Sequence, residues 1–165
     1  MGTPTHSERP GVDDGFAPSE LTFLGFDAAG ISFVLAPSDA EEICDLGRLS
    51  AIPMAPKHVE GILSWRGRPV PLVSIGAFAG VPARRTSAPA QRPERCVVAT
   101  SEGMTIAIRC DDVHGIVRAD GAPREISVSV PSGLVPHARQ EIVVGKRLYL
   151  VFDLASFVGA ARLRG

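Results

Sequence analysis

The sequence predicts an all-β body built from two small barrels that share one apolar seam. Three observations predict it. Apolar side chains recur with period two in several short segments, the spacing that gathers them on one face of a strand. Glycines interrupt those segments where hairpin turns fall. The second half of the chain then repeats the order of features found in the first.

Taken in chain order, residues 1–21 hold three prolines, scattered charges and few large apolar side chains, Val12 and Phe16 among them. Such a segment buries too little surface to offset its ordering entropy and is expected to be a flexible tail. Ile31, Phe33 and Leu35 alternate with Ser32 and Val34 and follow Gly30, which predicts a strand after a tight turn. Short helices are expected at Asp39–Ile43 and at Pro56–Glu60, where the proline suits a first helical turn. Gly67 marks a hairpin within the run from Gly61 to Val73, and a short helix is expected after Ile75. Residues 82–93, PARRTSAPAQRP, carry three prolines, three arginines and no large apolar side chain, and are expected to form a loop. Met104, Ile106 and Ile108 follow Gly103, and Leu148, Leu150 and Phe152 follow Gly145, which gives two more strands. A last short helix is expected after Leu154.

The repeat is seen by setting HVEGILSWRGRPVPLVSIGAF, from His58, above HARQEIVVGKRLYLVFDLASF, from His137. His58 aligns with His137, Arg68 with Arg147, Leu72 with Val151, Ile75 with Leu154 and Phe78 with Phe157. FDAAGISFVLAPSDAEEI, from Phe26, has the shape of ATSEGMTIAIRCDDVHGI, from Ala99: strand, glycine turn, alternating strand, acidic pair, apolar residue. The expected units are 22–81 and 94–158. Each has about sixty residues, a size that is marginal alone, so the two gain most by sharing a core. Closure into barrels would remove exposed sheet edges.

Composition narrows function. A chain of 165 residues has ordinary globular content, 45% hydrophobic and 21% charged. Mean hydropathy is +0.16, yet no run approaches the roughly 18 apolar residues of a membrane helix. Net charge is −1 and pI 6.4, which gives no electrostatic footprint for nucleic acid or anionic lipid. Cys44, Cys96 and Cys110 are odd in number, with no CxxC spacing, so neither a disulfide framework nor a thiolate zinc site is expected. The first residues lack the apolar core of a secretion signal. His6 stands where a myristoylation motif wants Ser or Thr. A cytoplasmic location without membrane insertion is the expectation.

Chemistry is sparse. GxSxG, GxxxxGK[ST], HExxH and GxGxxG are all missing. His58 and His137 share a repeat position and suggest a structural role. His114 lies beside Asp111–Asp112, the one local grouping that hints at metal, but neighbouring strand residues point to opposite faces. No metal or cofactor is expected. Cys96 and Cys110 sit in strand patterns as small buried apolar residues, and Glu41–Glu42 as a solvated turn. A small hydrolase would need a pocket with a perturbed Cys or His. An oligonucleotide- or other ligand-binding barrel would need a basic groove with aromatic platforms; the arginines at 84, 85, 92 and 95 cluster in the linker instead. One segment points outward. Trp65 and Arg66 precede Gly67, where the second copy has Val144 and Gly145. Trp and Arg are enriched at binding hot spots.

These residues resemble CheW-like domains. HVEGILSWRGRPVPLVSI is similar to the family's apolar, glycine-containing run that ends in Arg-Gly and continues into a Pro-apolar strand. SDAEEI is similar to its acidic turn. IRCDDVHGIV is similar to its Val-Asp-x-Val-x-Gly-Val segment through Asp111, Val113 and Gly115. GKRLYLVFDL is similar to its last hairpin. Together these cover residues 22–158. The resemblance implies two intertwined five-stranded, SH3-like barrels around a shared core, spanning 22–160. It implies a non-enzymatic adaptor that couples a methyl-accepting chemoreceptor tip to the regulatory domain of a CheA-type histidine kinase in a two-component signalling array. By the family's pattern Arg66 lies near the receptor-binding surface and pairs with Glu42, while Gly61, Ile62 and Leu63 line the groove between barrels. Ile43, Trp65 and Gly67 complete the implied partner surface. Ser74 departs from the family's usual Asp or Asn, which Asp153 keeps in the second copy. Ser64-Trp65 departs from its usual Asn-Leu. The alternative is a CheW-like paralogue serving motility or another chemosensory-like pathway.

Overall fold

The computed structural model describes Gly2, residues 21–82 and residues 93–163. The expected tail and the expected proline-rich loop therefore lie, except for Gly2, Leu21, Pro82 and Pro93, outside the described residues.

The first half runs β1 (Thr22–Ala28), β2 (Ile31–Leu35), β3 (Ala40–Asp45), β4 (Val59–Trp65), β5 (Arg68–Val73) and α1 (Ile75–Ala79). The second runs β6 (Arg95–Ser101), β7 (Met104–Cys110), β8 (Asp112–Arg118), β9 (Arg124–Glu125), a 3-10 turn (Ser132–His137), β10 (Ala138–Val144), β11 (Arg147–Phe152) and α2 (Leu154–Leu163). The alternating segments become β2, β7 and β11, and helices follow Ile75 and Leu154 as expected. Two expectations are corrected. Asp39–Ile43 is not a helix, because Ala40–Asp45 pairs with β6, and that long-range ladder overrides local preference. Pro56–Glu60 is a turn, closed by Val59 N–H donating to Pro56 O at 2.9 Å, that leads into β4.

The strands form two sheets, ordered β8-β1-β2-β11-β10-β9 and β3-β6-β7-β5-β4. Each sheet takes its central hairpin from one half of the chain and its flanking strands from the other. β8 lies antiparallel to β1, and β11 parallel to β2. Likewise β3 lies antiparallel to β6, and β5 parallel to β7. Where closed barrels were expected, no ladder joins β8 to β9 or β3 to β4, so the pairings define sheets with edges. A lone bridge between Ser50 and Ile62, with both N–H···O bonds at 2.8 Å, crosses the second gap.

Burial separates three apolar clusters. The largest lies between the sheets and draws Phe26, Phe33, Leu35, Ile108, Leu150 and Phe157 from both halves. A second, inside the five-stranded sheet, holds Leu63, Leu72, Cys96 and Val98. A third, inside the six-stranded sheet, holds Phe23, Val34, Ile142 and Tyr149. The repeated segments meet at the first cluster with matching bonds. Ser74 N donates to His58 O and Asp153 N to His137 O, each at 2.8 Å. Both histidines are buried and stand edge-on to Phe78, at 5.3 and 5.5 Å. Ser74 Oγ accepts from Ala77 N, as Asp153 Oδ1 accepts from Ser156 N, both at 3.1 Å. The departure at Ser74 thus exchanges one helix cap for another.

Glu141 is fully buried on β10. Its Oε2 accepts from Ser127 N at 2.9 Å, and its Oε1 from Ser127 Oγ at 2.7 Å and Arg124 Nε at 2.9 Å. The Ser127 amide first, with the Ser127 hydroxyl and Arg124 behind it, holds this carboxyl below the usual range despite its burial.

Phe157→Ala empties a site touching Phe78, Phe152 and His137. It is expected to cost about 3–5 kcal/mol in urea unfolding; a loss below about 1 kcal/mol would refute the aromatic cluster as a central support. Because the Glu141 carboxyl is depressed in the fold, its stabilisation is present above the ordinary carboxylate range and lost as pH falls through it. Urea midpoints measured from pH 7 down to pH 3 should therefore fall less steeply for Glu141→Gln than for the wild-type chain.

Candidate protein-interaction surface

The β4–β5 hairpin turns on two residues, since Trp65 pairs with Arg68 and only Arg66 and Gly67 lie between. Both have positive φ, 50° and 73°, the geometry of a type I′ turn. Glycine takes it freely; Arg66 takes it at a cost that places its side chain at the hairpin tip. Across the five-stranded sheet, the β3–β6 register shifts between Ala40 and Glu42, and that bulge sets Glu42 against the tip. Trp65 Nε1–H donates to Glu42 Oε2 at 2.8 Å, and Arg66 Nη2 lies 3.2 Å from the same oxygen. The Arg66 guanidinium stands 4.7 Å from the centre of the Trp65 ring. One carboxylate oxygen therefore orients an indole and a guanidinium, and the two stack. The Arg66 side chain is 65% exposed and that of Glu42 42%. At this exposure the ion pair contributes only about 0–1 kcal/mol to stability. Its effect is to orient Trp65 and Arg66 toward one another. A shallow hollow of about 380 Å³ adjoins it, lined by Trp65, Arg68, Pro69, Val70 and Met104.

Glu42, Trp65, Arg66 and Gly67 thus come together at the hairpin tip, with Glu42, Arg66 and Gly67 exposed and Trp65 half-buried against the second cluster. Ile43 is 39% exposed on the opposite face of β3, where its partner Val97 belongs to the inter-sheet cluster. Gly61, Ile62 and Leu63, expected to line a groove, lie inward of that group. Leu63 is buried in the second cluster, and a Cβ at Gly61 would lie 2.9 Å from the Ser50 carbonyl oxygen. Ile62 is half-buried and bonded to Ser50. A wider hollow of about 690 Å³ does lie between the sheets, lined by Asp39, Arg139, Phe152, Asp153 and Leu154. Burial, with Asp153 behind it, raises the Asp39 carboxyl above its usual range.

The thiols are not activated. Burial pushes Cys96 up to about 11 and also raises Cys44 and Cys110, the direction that suppresses the thiolate. His114 does gather carboxylates, with a different set from the one its neighbours suggest. Asp27 replaces Asp111, because Asp27 is the cross-strand partner of Asp112, and Asp112 and His114 share a face. The i, i+2 spacing of Asp112 and His114 was legible; Asp27, Arg147 and Tyr149 enter only through register.

Two β-sheets of interleaved halves share one core, and the Trp65–Arg66–Glu42 group sits at the β4–β5 hairpin tip. A family model for the CheW-like domain matches residues 22–162, and the chain belongs to that family. No curated protein matches the chain significantly. Among solved structures it is similar to the crystal structure of the scaffolding protein TtCheW from Thermoanaerobacter tengcongensis. Identity is 17%, with a TM-score of 0.70 over 82% of this chain and 90% of that one, a likeness that speaks for the fold.

Trp65 is the only tryptophan, so its emission reports on the group directly. Glu42→Ala is expected to red-shift that emission while changing the unfolding free energy by less than about 1 kcal/mol. An unchanged spectrum would mean that Glu42 does not hold the indole.

Proposed function

We propose that the protein is a non-enzymatic chemotaxis scaffold that couples a chemoreceptor tip to the regulatory domain of a CheA-type histidine kinase. Membership in the CheW-like family supports this reading, and the Glu42–Trp65–Arg66 group is the observation that carries it to particular residues. Residues 22–160 act as one module of two units, 22–81 and 94–158. Each sheet reads as barrel-like, curled round its own inner cluster. The Ser50–Ile62 bridge crosses one gap, and Asp120 N–H donating to Val143 O at 2.8 Å spans the other. Receptor binding involves Arg66, Trp65, Gly67 and Glu42 on the hairpin side and the exposed Ile43 on the other face of β3. Ile62, Gly61 and Leu63 support that surface from behind. A receptor tip is a helical hairpin, and helix recognition by a groove is a known docking mode. No helix among the described residues is long and apolar enough to cross a membrane, and a cytoplasmic place beside membrane receptors is part of the same proposal. Ser64-Trp65 at the hairpin favours a second reading, a paralogue whose receptor or output pathway differs, because an indole replaces an aliphatic side chain at a contact position.

Arg66→Glu sets like charge against Glu42 on an exposed turn. It is expected to weaken binding of a purified receptor cytoplasmic fragment at least about tenfold, roughly 1.4 kcal/mol, with an unchanged circular dichroism spectrum. Unaltered receptor affinity would remove Arg66 from the interface. Salt-dependent affinity for single-stranded nucleic acid would overturn the adaptor reading in favour of the oligonucleotide-binding one.

A further inference from the structure

On the six-stranded sheet, away from the Glu42–Trp65–Arg66 group, Asp27, Asp112 and His114 place one ligand atom each within 4.8 Å of one another. We infer that they form a binding site for a first-row divalent transition-metal ion, with Arg147 as a resident cation that the metal displaces.

The convergence is built by the strand register. Asp27 and Asp112 are cross-strand partners on β1 and β8. Two residues on, the β1–β8 register shifts, with Phe26 opposite Val113 and Gly25 opposite Gly115, so His114 is the extra residue of a bulge. A bulge re-aims its side chain, and here it turns the imidazole toward Asp27. Gly25, opposite the bulge, is closely packed: a Cβ there would stand 3.0 Å from Val117 Cγ1 and 3.3 Å from the Tyr149 ring.

The distances suit a small ion. His114 Nε2 lies 3.0 Å from Asp27 Oδ2 and 3.9 Å from Asp112 Oδ2. Nitrogen and oxygen ligands held about 2.0–2.2 Å from a metal stand about 3–3.5 Å apart, so a small inward movement of Asp112, 58% exposed, completes the set. Each ligand is also held from behind, the outer-shell support that metal ligands need. Asp27 Oδ1 accepts from Ser32 Oγ at 2.7 Å, Asp112 Oδ1 accepts from Val113 N at 2.9 Å, and His114 Nδ1 lies 2.8 Å from Tyr149 Oη.

The site already draws a positive charge. Arg147 Nη1 lies 2.9 Å from His114 Nε2, 3.4 Å from Nδ1 and 3.7 Å from Asp27 Oδ2. A donor on the Nε2 lone-pair axis would stand much farther from Nδ1 than from Nε2. Nη1 therefore lies over the ring face, and the in-plane direction of Nε2 is left facing Asp27. The Arg147 side chain is 53% exposed and can withdraw to solvent. With a metal on Nε2, the ring N–H would stand at Nδ1 and donate to Tyr149 Oη, since a phenol oxygen can donate or accept. One imidazole with two carboxylates suits zinc, nickel or cobalt better than magnesium or a thiophilic ion. The bound ion would tie edge strand β8 to β1.

The test is calorimetric titration of the full-length chain with Zn²⁺ in a non-chelating buffer, paired with thermal unfolding. The wild-type chain is expected to bind Zn²⁺ and to gain Tm with metal, as a ligand of the folded state must produce. His114→Ala and the exposed Asp112→Asn are each expected to lose one equivalent of Zn²⁺ and the Tm gain, with metal-free circular dichroism unchanged for Asp112→Asn. Arg147→Ala is expected to bind about tenfold more tightly, since it removes a neighbouring like charge. No Zn²⁺ binding by the wild-type chain, or binding unchanged in both His114→Ala and Asp112→Asn, would overturn the site. An Arg147→Ala affinity no tighter than wild type would overturn the displacement.

Discussion

Backbone amides along β1 and β6 need partners on both sides, and in each case the other half of the chain supplies one. β8 lies along β1 and β3 along β6, while β11 and β5 extend the same sheets beside β2 and β7. A half of about sixty residues taken alone would leave those edges unpaired and its inter-sheet face wet. The apolar cluster between the sheets is the thermodynamic side of the same arrangement. Phe26 and Phe33 from one half stack at 5.6 Å, and Phe152 from the other meets Phe33 edge-on at the same separation. Pairing and burial are therefore completed together or not at all.

The repeat was visible because this exchange imposes the same demands twice. His58 and His137 each immediately precede a strand and offer a carbonyl to the residue that caps the following helix, and Phe78 and Phe157 close on them from those helices. The copies diverge where nothing forces them to agree. Beyond β3 the main chain of Ser50 bridges to Ile62; beyond β8 the short strand β9 pairs with β10, and the buried Glu141 carboxylate grips Arg124 and Ser127. Backbone bonds alone hold this region in one copy, and backbone bonds with a charged side chain hold it in the other.

Both proposed binding groups fall where the copies diverge. The first copy carries Trp65 and Arg66 at its hairpin tip, where the second has Val144 and Gly145. The second copy carries His114 in a bulge, beside a strand from the first. Both groups join residues of distant strands through carboxylate oxygens, Glu42 in one and Asp27 in the other. Rigid strands hold the backbone of each, while the exposed arginines, Arg66 and Arg147, keep their freedom to exchange a local partner for an incoming one.

Alternation of Ile31, Phe33 and Leu35, of Met104, Ile106 and Ile108, and of Leu148, Leu150 and Phe152 was enough to establish strands, because period two is a property of a single chain segment. The order of motifs was enough for the family, and Trp65–Arg66 before Gly67 was enough to single out the hairpin tip. Asp39–Ile43 misled, since a short polar stretch has weak preference of its own and took its conformation from β6. Which half pairs with which, the burial of Leu63 behind the surface, the grip of Glu141, and the meeting of Asp27 with His114 were settled only in three dimensions. Each depends on strand register, and register is chosen by the joint burial of many residues that no local pattern encodes.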